Sequence, residues 1–165
     1  MSPPTMTVAR QPEKPGFWAL TAVLALFAAL VMPAAADPLV VNPATGLALS
    51  GFDPVAYFTD REPRSGRPDL EMNYDGAVWR FSNIGNRDAF RDHPQTYRPR
   101  FGGYDPVGIA RNRSVAGNPQ FWAIIGERLY LFYNDADRAA FAKAPGRTLE
   151  VAERNWPDVI RTIGR

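Results

Sequence analysis

Two aspartates stand out because the chain presents each of them in the same way. Asp53 lies in Gly51-Phe-Asp-Pro-Val55, and Asp105 lies in Gly103-Tyr-Asp-Pro-Val107, at an offset of 52. Paired carboxylates can do acid/base work when their surroundings split their pKa values. Tyr57 and Tyr104 are close enough in sequence to share a ligand-binding or catalytic site with them. The plainer reading is structural. An aspartate before proline starts a helix, because its carboxylate accepts from unpaired amides and proline's fixed φ suits the first turn. On the sequence alone both readings stand, with the caps as the simpler one.

Other chemistry is sparse. The chain has one histidine, His93, and no cysteine. Beyond residue 36 it has one methionine, Met72. Copper and zinc favour sets of nitrogen and sulfur ligands, so one subunit offers no such site, and no cofactor is expected. His93 precedes Pro94 at an expected helix end, where an imidazole serves the helix dipole or solvent. No nucleophile turn, phosphate loop or dinucleotide fingerprint occurs, and Gly102-Gly103 reads as a tight bend. The net charge is only +2. Its arginines are scattered, so no nucleic acid partner is expected.

The elements that must position the aspartates also come in two copies. Trp79-x-Phe81-x-Asn83, Arg87, Ala89-Phe90 and Pro94 are echoed at an offset of 51. The echo is Tyr130-x-Phe132-x-Asn134, Arg138, Ala140-Phe141 and Pro145. One spacing held through turn, aromatic pair, basic residue and proline reads as a duplicated unit. In the first copy, Leu70 to Tyr74 and Ala77 to Phe81 alternate around Asp75-Gly76, a strong two-residue hairpin signal. Ser82 or Asn83 then caps a helix to about Asp92, with Ile84 and Phe90 facing the hairpin and Pro94 stopping it. In the second copy, Phe121 to Ile125 and Leu129 to Tyr133 bracket Gly126-Glu127, read as a type II′ turn. Asn134 or Asp135 caps the following helix, which Pro145-Gly146 closes. A last amphipathic helix is expected from about 148 to 163, bending near Pro157. The aromatic residues Trp79, Phe81, Phe90, Tyr130, Phe132 and Phe141 are core by their spacing.

The expected fold is a small single α+β domain. It has two pseudo-duplicated hairpin–helix units, about 51–94 and 103–145, plus a C-terminal helix. Their strands would form one antiparallel sheet or two facing ones. Residues 1–36 read as a secretory signal peptide. Arg10 and Lys14 precede an uncharged run from Phe17 to Met32, then Ala34-x-Ala36. As a helix that run reaches about 24 Å, short of the roughly 30 Å hydrocarbon core. The working protein is thus expected to be periplasmic or secreted, to begin at Asp37, and to be free of the membrane after cleavage.

Residues 50–157 resemble the YHS-domain family, and in particular its exported members. The resemblance rests on Gly51-Phe-Asp-Pro-Val-Ala-Tyr-Phe58 and Tyr74-Asp-Gly-Ala-Val-Trp-Arg-Phe-Ser82. Gly102-Gly-Tyr104, Trp122, Leu129-Tyr-Leu131, Tyr133-Asn134 and Asn155-Trp-Pro157 continue it. It implies the fold and an exported compartment. Metal-associated members carry cysteines where this chain has Ser82 and Asn86, and many exported relatives carry one where it has Asp105. A metal or thiol role therefore does not transfer. The expected function is an exported, non-catalytic binding or accessory protein for an unidentified small ligand or protein partner. Its rival is an enzyme built on an Asp53/Asp105 pair, with metal handling a distant third.

Overall fold

The computed structural model describes residues 38–163. The secretory reading of residues 1–36 and the start at Asp37 lie outside the described residues. The described chain is a mixed α+β domain of six helices and two antiparallel hairpins. An extended lead-in folds back on itself through a Val41–Ala48 bridge. A tight 3-10 turn at Leu49–Gly51 leads to Asp53 and the short α1 (Ala56–Thr59). The first hairpin follows as β1 (Arg67–Tyr74) and β2 (Ala77–Phe81), then α2 (Ile84–Asp92) and α3 (Pro94–Tyr97). A second 3-10 turn at Arg100–Gly103 opens the next half, with α4 (Pro106–Ala110) and a hairpin of β3 (Asn118–Ile125) and β4 (Arg128–Phe132). The domain closes with α5 (Asp135–Lys143) and α6 (Pro145–Ile160).

The two halves share not only element order but register. In the first hairpin Arg67 stands opposite Phe81, Met72 opposite Trp79 and Tyr74 opposite Ala77, with a bulge between Arg67 and Glu71. Adding 51 to each number gives the second hairpin: Asn118 opposite Phe132, Ala123 opposite Tyr130 and Ile125 opposite Arg128, with its bulge between Asn118 and Trp122. The bulges explain a glycine in each half. A Cβ on Gly66 would lie 2.4 Å from Arg80 Cβ, and one on Gly117 would lie 2.5 Å from Leu131 Cβ. Only a residue without a side chain lets these strands approach.

Two sheets form, one per hairpin, rather than a single sheet. In the first, Trp79 and Phe81 are fully buried and meet Phe90 of α2 at ring distances of 4.8 and 5.3 Å. In the second, Tyr130 and Phe132 meet Phe141 of α5 at 5.8 and 4.9 Å. The expected aromatic core is therefore the observed one. β4 does more than its counterpart. Leu129 and Leu131 join the first core while Tyr130 and Phe132 join the second, so this strand is buried on both faces. A strand with cover on both sides reads as an unbroken apolar run, which Leu-Tyr-Leu-Phe is.

Several local expectations differ from the structure. Ile84 does not face the hairpin: as the first residue of α2 it is 59 % exposed. The second hairpin turn is not type II′. Gly126 and Glu127 both have positive φ, 54° and 59°, as in type I′ and as at Asp75 and Gly76. Tyr133 falls just past β4 and is exposed. Pro94 and Pro145 each stop one helix by opening the next, both sitting at a helix start. Proline lacks the amide that a first turn would leave unpaired anyway. The last helix accordingly starts at Pro145, earlier than expected, and runs through Pro157 to Ile160. Among the described residues no helix is long and apolar enough to cross a membrane.

Candidate functional site

Both aspartates are locked in place by the same backbone frame. The Asp53 amide donates to the Arg64 carbonyl, and the Asp105 amide to the Val115 carbonyl, each at 2.8 Å. This pins the chain in extended form just ahead of the proline. Asp53 Oδ1 accepts from the amides of Val55 at 2.8 Å and Ala56 at 3.4 Å. Asp105 Oδ1 accepts from Val107 at 2.9 Å as the N-cap of α4. Both side chains are buried, with 0 % and 1 % exposure. A carboxylate can be held that deep only when its oxygens are well supplied with donors.

The second oxygens differ. Asp53 Oδ2 accepts from the Ser82 amide at 2.8 Å, the Ser82 hydroxyl at 2.7 Å and Asn86 Nδ2 at 2.7 Å. With the two amides on Oδ1, five contacts saturate this carboxylate. In the second half Tyr133 stands where Ser82 does and Asp137 where Asn86 does. Tyr133 turns its ring outward, and Asp137 brings an acceptor in place of an amide donor. Asp105 Oδ2 is left buried with no hydrogen-bond partner. Burial pushes the Asp105 carboxyl up to about 6; the Val107 amide opposes the rise and the charge of Asp137 adds to it. The Tyr133 amide also opposes it, without closing a hydrogen bond of ordinary geometry. The Asp137 side chain, within hydrogen-bond reach of the Asp105 carboxyl, raises it further.

Asp105 lies in the wall of a cleft of about 540 Å³, with its second oxygen covered. Asp105 and Asp137 line it together with Arg111, Arg113, Val115 and Tyr133. Arg111 Nη1 reaches Asp137 Oδ1 at 3.3 Å, a long contact from a side chain that is 55 % exposed. Arg113 makes no ion pair among the described residues. The cleft thus offers two carboxyls and two guanidinium groups with half-made interactions, and an exposed aromatic ring at its edge. A second concavity, about 460 Å³ between β3 and α5, is mostly apolar, and its two charges, Asp135 and Arg138, bond to each other.

The four residues singled out in the sequence are placed as two separate pairs. Tyr57 is fully buried beside Asp53 and donates from its hydroxyl to the Pro119 carbonyl at 3.0 Å. Burial, aided by the charge of Asp53, raises its pKa well above the usual tyrosine range. Tyr104 turns away from Asp105 and packs on Trp156, with ring centroids 5.8 Å apart. No hydrogen bond or electrostatic coupling joins Asp53 to Asp105; the groups that set the titration of Asp105 all belong to its own half. His93 is exposed at the end of α2. The sequence alone assigns no site role to Asp137, Arg111, Arg113 or Tyr133. The signal was there: the offset of 51 sets Ser82 and Asn86 against Tyr133 and Asp137. Among the described residues no three His, Cys, Asp or Glu side chains gather as metal ligands. Comparison of the chain with family models, curated proteins and solved structures gives no match.

Proposed function

We propose that this chain is an exported, YHS-like binding protein without catalysis of its own, and that its ligand seat is the cleft at Asp105. Export is supported by the basic, apolar and Ala34-x-Ala36 order of residues 1–36. The YHS-like reading is supported by the motifs from Gly51 to Pro157. One observation carries the ligand seat: Asp105, in the wall of a polar cleft, keeps a buried oxygen without a hydrogen bond of ordinary geometry, while its counterpart Asp53 has none to spare. A buried acceptor left unpaired costs about 1–3 kcal/mol. Such a cost, in the wall of a polar cleft, would be relieved by a ligand donor once the wall opens locally to reach the oxygen.

The rival enzyme built on an Asp53/Asp105 pair loses its support, since Asp53 has no free lone pair and does not couple to Asp105. Amide chemical shifts of the 15N-labelled protein, followed during addition of pooled small polar metabolites, test the binding reading. Saturable shifts are expected at Val107, Tyr133 and Asp137. Shifts confined instead to Ser82 and Asn86 would refute the Asp105 seat.

A further inference from the structure

The second hairpin carries a docking edge that is independent of the cleft at Asp105. We propose that β3 pairs antiparallel with β3 of a second copy of this chain, about a twofold axis through Ala123. The two-stranded sheets of both copies then join into one.

The phase of the hairpin decides which backbone groups face outward. Gly126-Glu127 is a two-residue turn, so Ile125 and Arg128 exchange hydrogen bonds across it. Ala123 and Tyr130 do so two residues further from the turn. Trp122 opposite Leu131, and Ile124 opposite Leu129, are the pairs that do not. The N–H and C=O groups of Trp122 and Ile124 therefore point away from β4. The first hairpin has the same phase, and there the outward groups of Val78 are used. Its amide donates to the Gly46 carbonyl at 3.1 Å, and its carbonyl accepts from the Ala48 amide at 2.9 Å. Among the described residues no hydrogen bond reaches the outward groups of Trp122 and Ile124.

The surroundings of this edge suit another strand. Phe121 and Ala123 pack on the second core, and Trp122 and Ile124 on the first. Both faces are thus covered, and the edge is what stays open. Trp122 to Ile124 are half-buried, and Ile125 is 41 % exposed. Beside them lies the concavity of about 460 Å³ between β3 and α5. The equivalent strand β1 carries Arg67, Asp69 and Glu71, charges of the kind that keep strand edges from pairing. Asn118 to Ile125 carries none.

The strand is also its own complement. About an axis through Ala123, Trp122 stands opposite the partner's Ile124 and exchanges both bonds with it, and Ile124 does the same with the partner's Trp122. Phe121 stands opposite the partner's Ile125, and the partner's Phe121 faces Ile125 beside the concavity. Ala123 meets the partner's Ala123 at a pair that exchanges no bonds. Strands come closest there, about 4.5 Å between Cα atoms, and a small side chain suits the spot. Apolar meets apolar at every step, and no like charges oppose each other. A foreign peptide would need a polar group to select it. The concavity has none to spare, since Asp135 and Arg138 bond to each other. The contact is small, so the dissociation constant is expected on the order of 10 μM.

Sedimentation velocity of the purified protein from about 1 μM to about 1 mM tests this, with amide hydrogen exchange measured at both ends of the range. A dimer is expected at the high end. There the Trp122 and Ile124 amides should exchange about tenfold more slowly than in the dilute sample. The Ala123 and Ile125 amides, already bonded within the hairpin, should be protected in both. Ala123→Glu and Ala123→Lys each set like charges at the axis, and each variant is expected to stay monomeric. An equimolar mixture of the two should recover the dimer, as misfolded variants would not. A monomer at every concentration leaves the edge to a foreign strand and overturns the proposal. Protection of Trp122 and Ile124 that ignores concentration overturns it too, because another part of the same chain then covers the edge. So does a dimer that survives either substitution, or a mixture that remains monomeric.

Discussion

At the scale of single residues, the two aspartates differ in what their second oxygen meets, and substitution should expose this. Asparagine caps a helix about as well as aspartate, so Asp105→Asn keeps the bond to the Val107 amide. Its new amide group can also donate toward Asp137. We expect it to be neutral or stabilising at pH 7. Asp53→Asn is different, because its amide would face the Ser82 amide and Asn86 Nδ2, both donors. A loss of about 2–4 kcal/mol is expected, close to that of Asp53→Ala, in chemical denaturation. Equal tolerance of asparagine at both positions would refute this account of the caps. The pH dependence has a definite sign. The folded-state value for Asp105, about 6, lies above the roughly 3.9 of an unfolded chain. The folded state therefore binds the proton more tightly, and this stabilisation is complete below pH about 4 and lost as pH rises through 6. Relative to Asp105→Asn, the wild-type protein should lose stability across that window, on the order of 1–2 kcal/mol once solvent screening at the cleft is allowed for. A difference that stays flat or rises with pH would contradict it. The caps were legible in the sequence because Asp-Pro is a local signal. The contrast between saturated and open oxygens was less so, because the donors come from residues 29 and 33 positions further on in the first half. Only the alignment of the halves brings Ser82 against Tyr133 and Asn86 against Asp137.

At the scale of elements, the sequence is legible where one residue type dictates one backbone shape. Asp75-Gly76 forms the expected hairpin turn with φ of 52° and 75°, and Asn83 and Asn134 cap their helices by accepting from Asn86 and Asp137 amides at 2.8 Å. It is ambiguous where a residue can serve two purposes. Pro94 and Pro145 are as good at opening a helix as at ending one. Gly126-Glu127 matches a Gly-first turn by composition, yet the right-handed twist of the strands draws both residues to positive φ. Glu127 therefore holds a left-handed conformation with a side chain, which costs roughly 1–2 kcal/mol for an ordinary residue. Asparagine tolerates that conformation better. Glu127→Asn should raise stability by about 0.5 kcal/mol without moving strand amide shifts beyond the turn. A thermal melt at or below the wild-type midpoint would count against the turn assignment.

At the scale of the whole molecule, the two halves are similar in register but not independent. The reason is β4. Leu129 and Leu131 pack in the first core with Trp79 and Phe90, while Tyr130 and Phe132 of the same strand pack in the second with Phe141 and Trp156. Tyr57 adds a second tie, with its ring 5.3 Å from Trp122 and its hydroxyl on Pro119. The sequence showed the duplication of pattern, since aromatic spacing is a local property. It could not show which half a side chain serves, because that depends on what covers each face of a strand. Shared packing of this kind predicts a single unfolding event. Leu131→Ala, at 2 % exposure, should remove about 2–5 kcal/mol, and the loss should be felt in both halves. The indole resonances of Trp79 and Trp156 report the two cores separately during urea titration. In the wild-type protein they are expected to disappear at one midpoint, and in Leu131→Ala at one lower midpoint. If the mutation lowers the Trp79 midpoint and leaves Trp156 where it was, β4 does not couple the cores. The halves would then be two small domains, each holding its own aspartate.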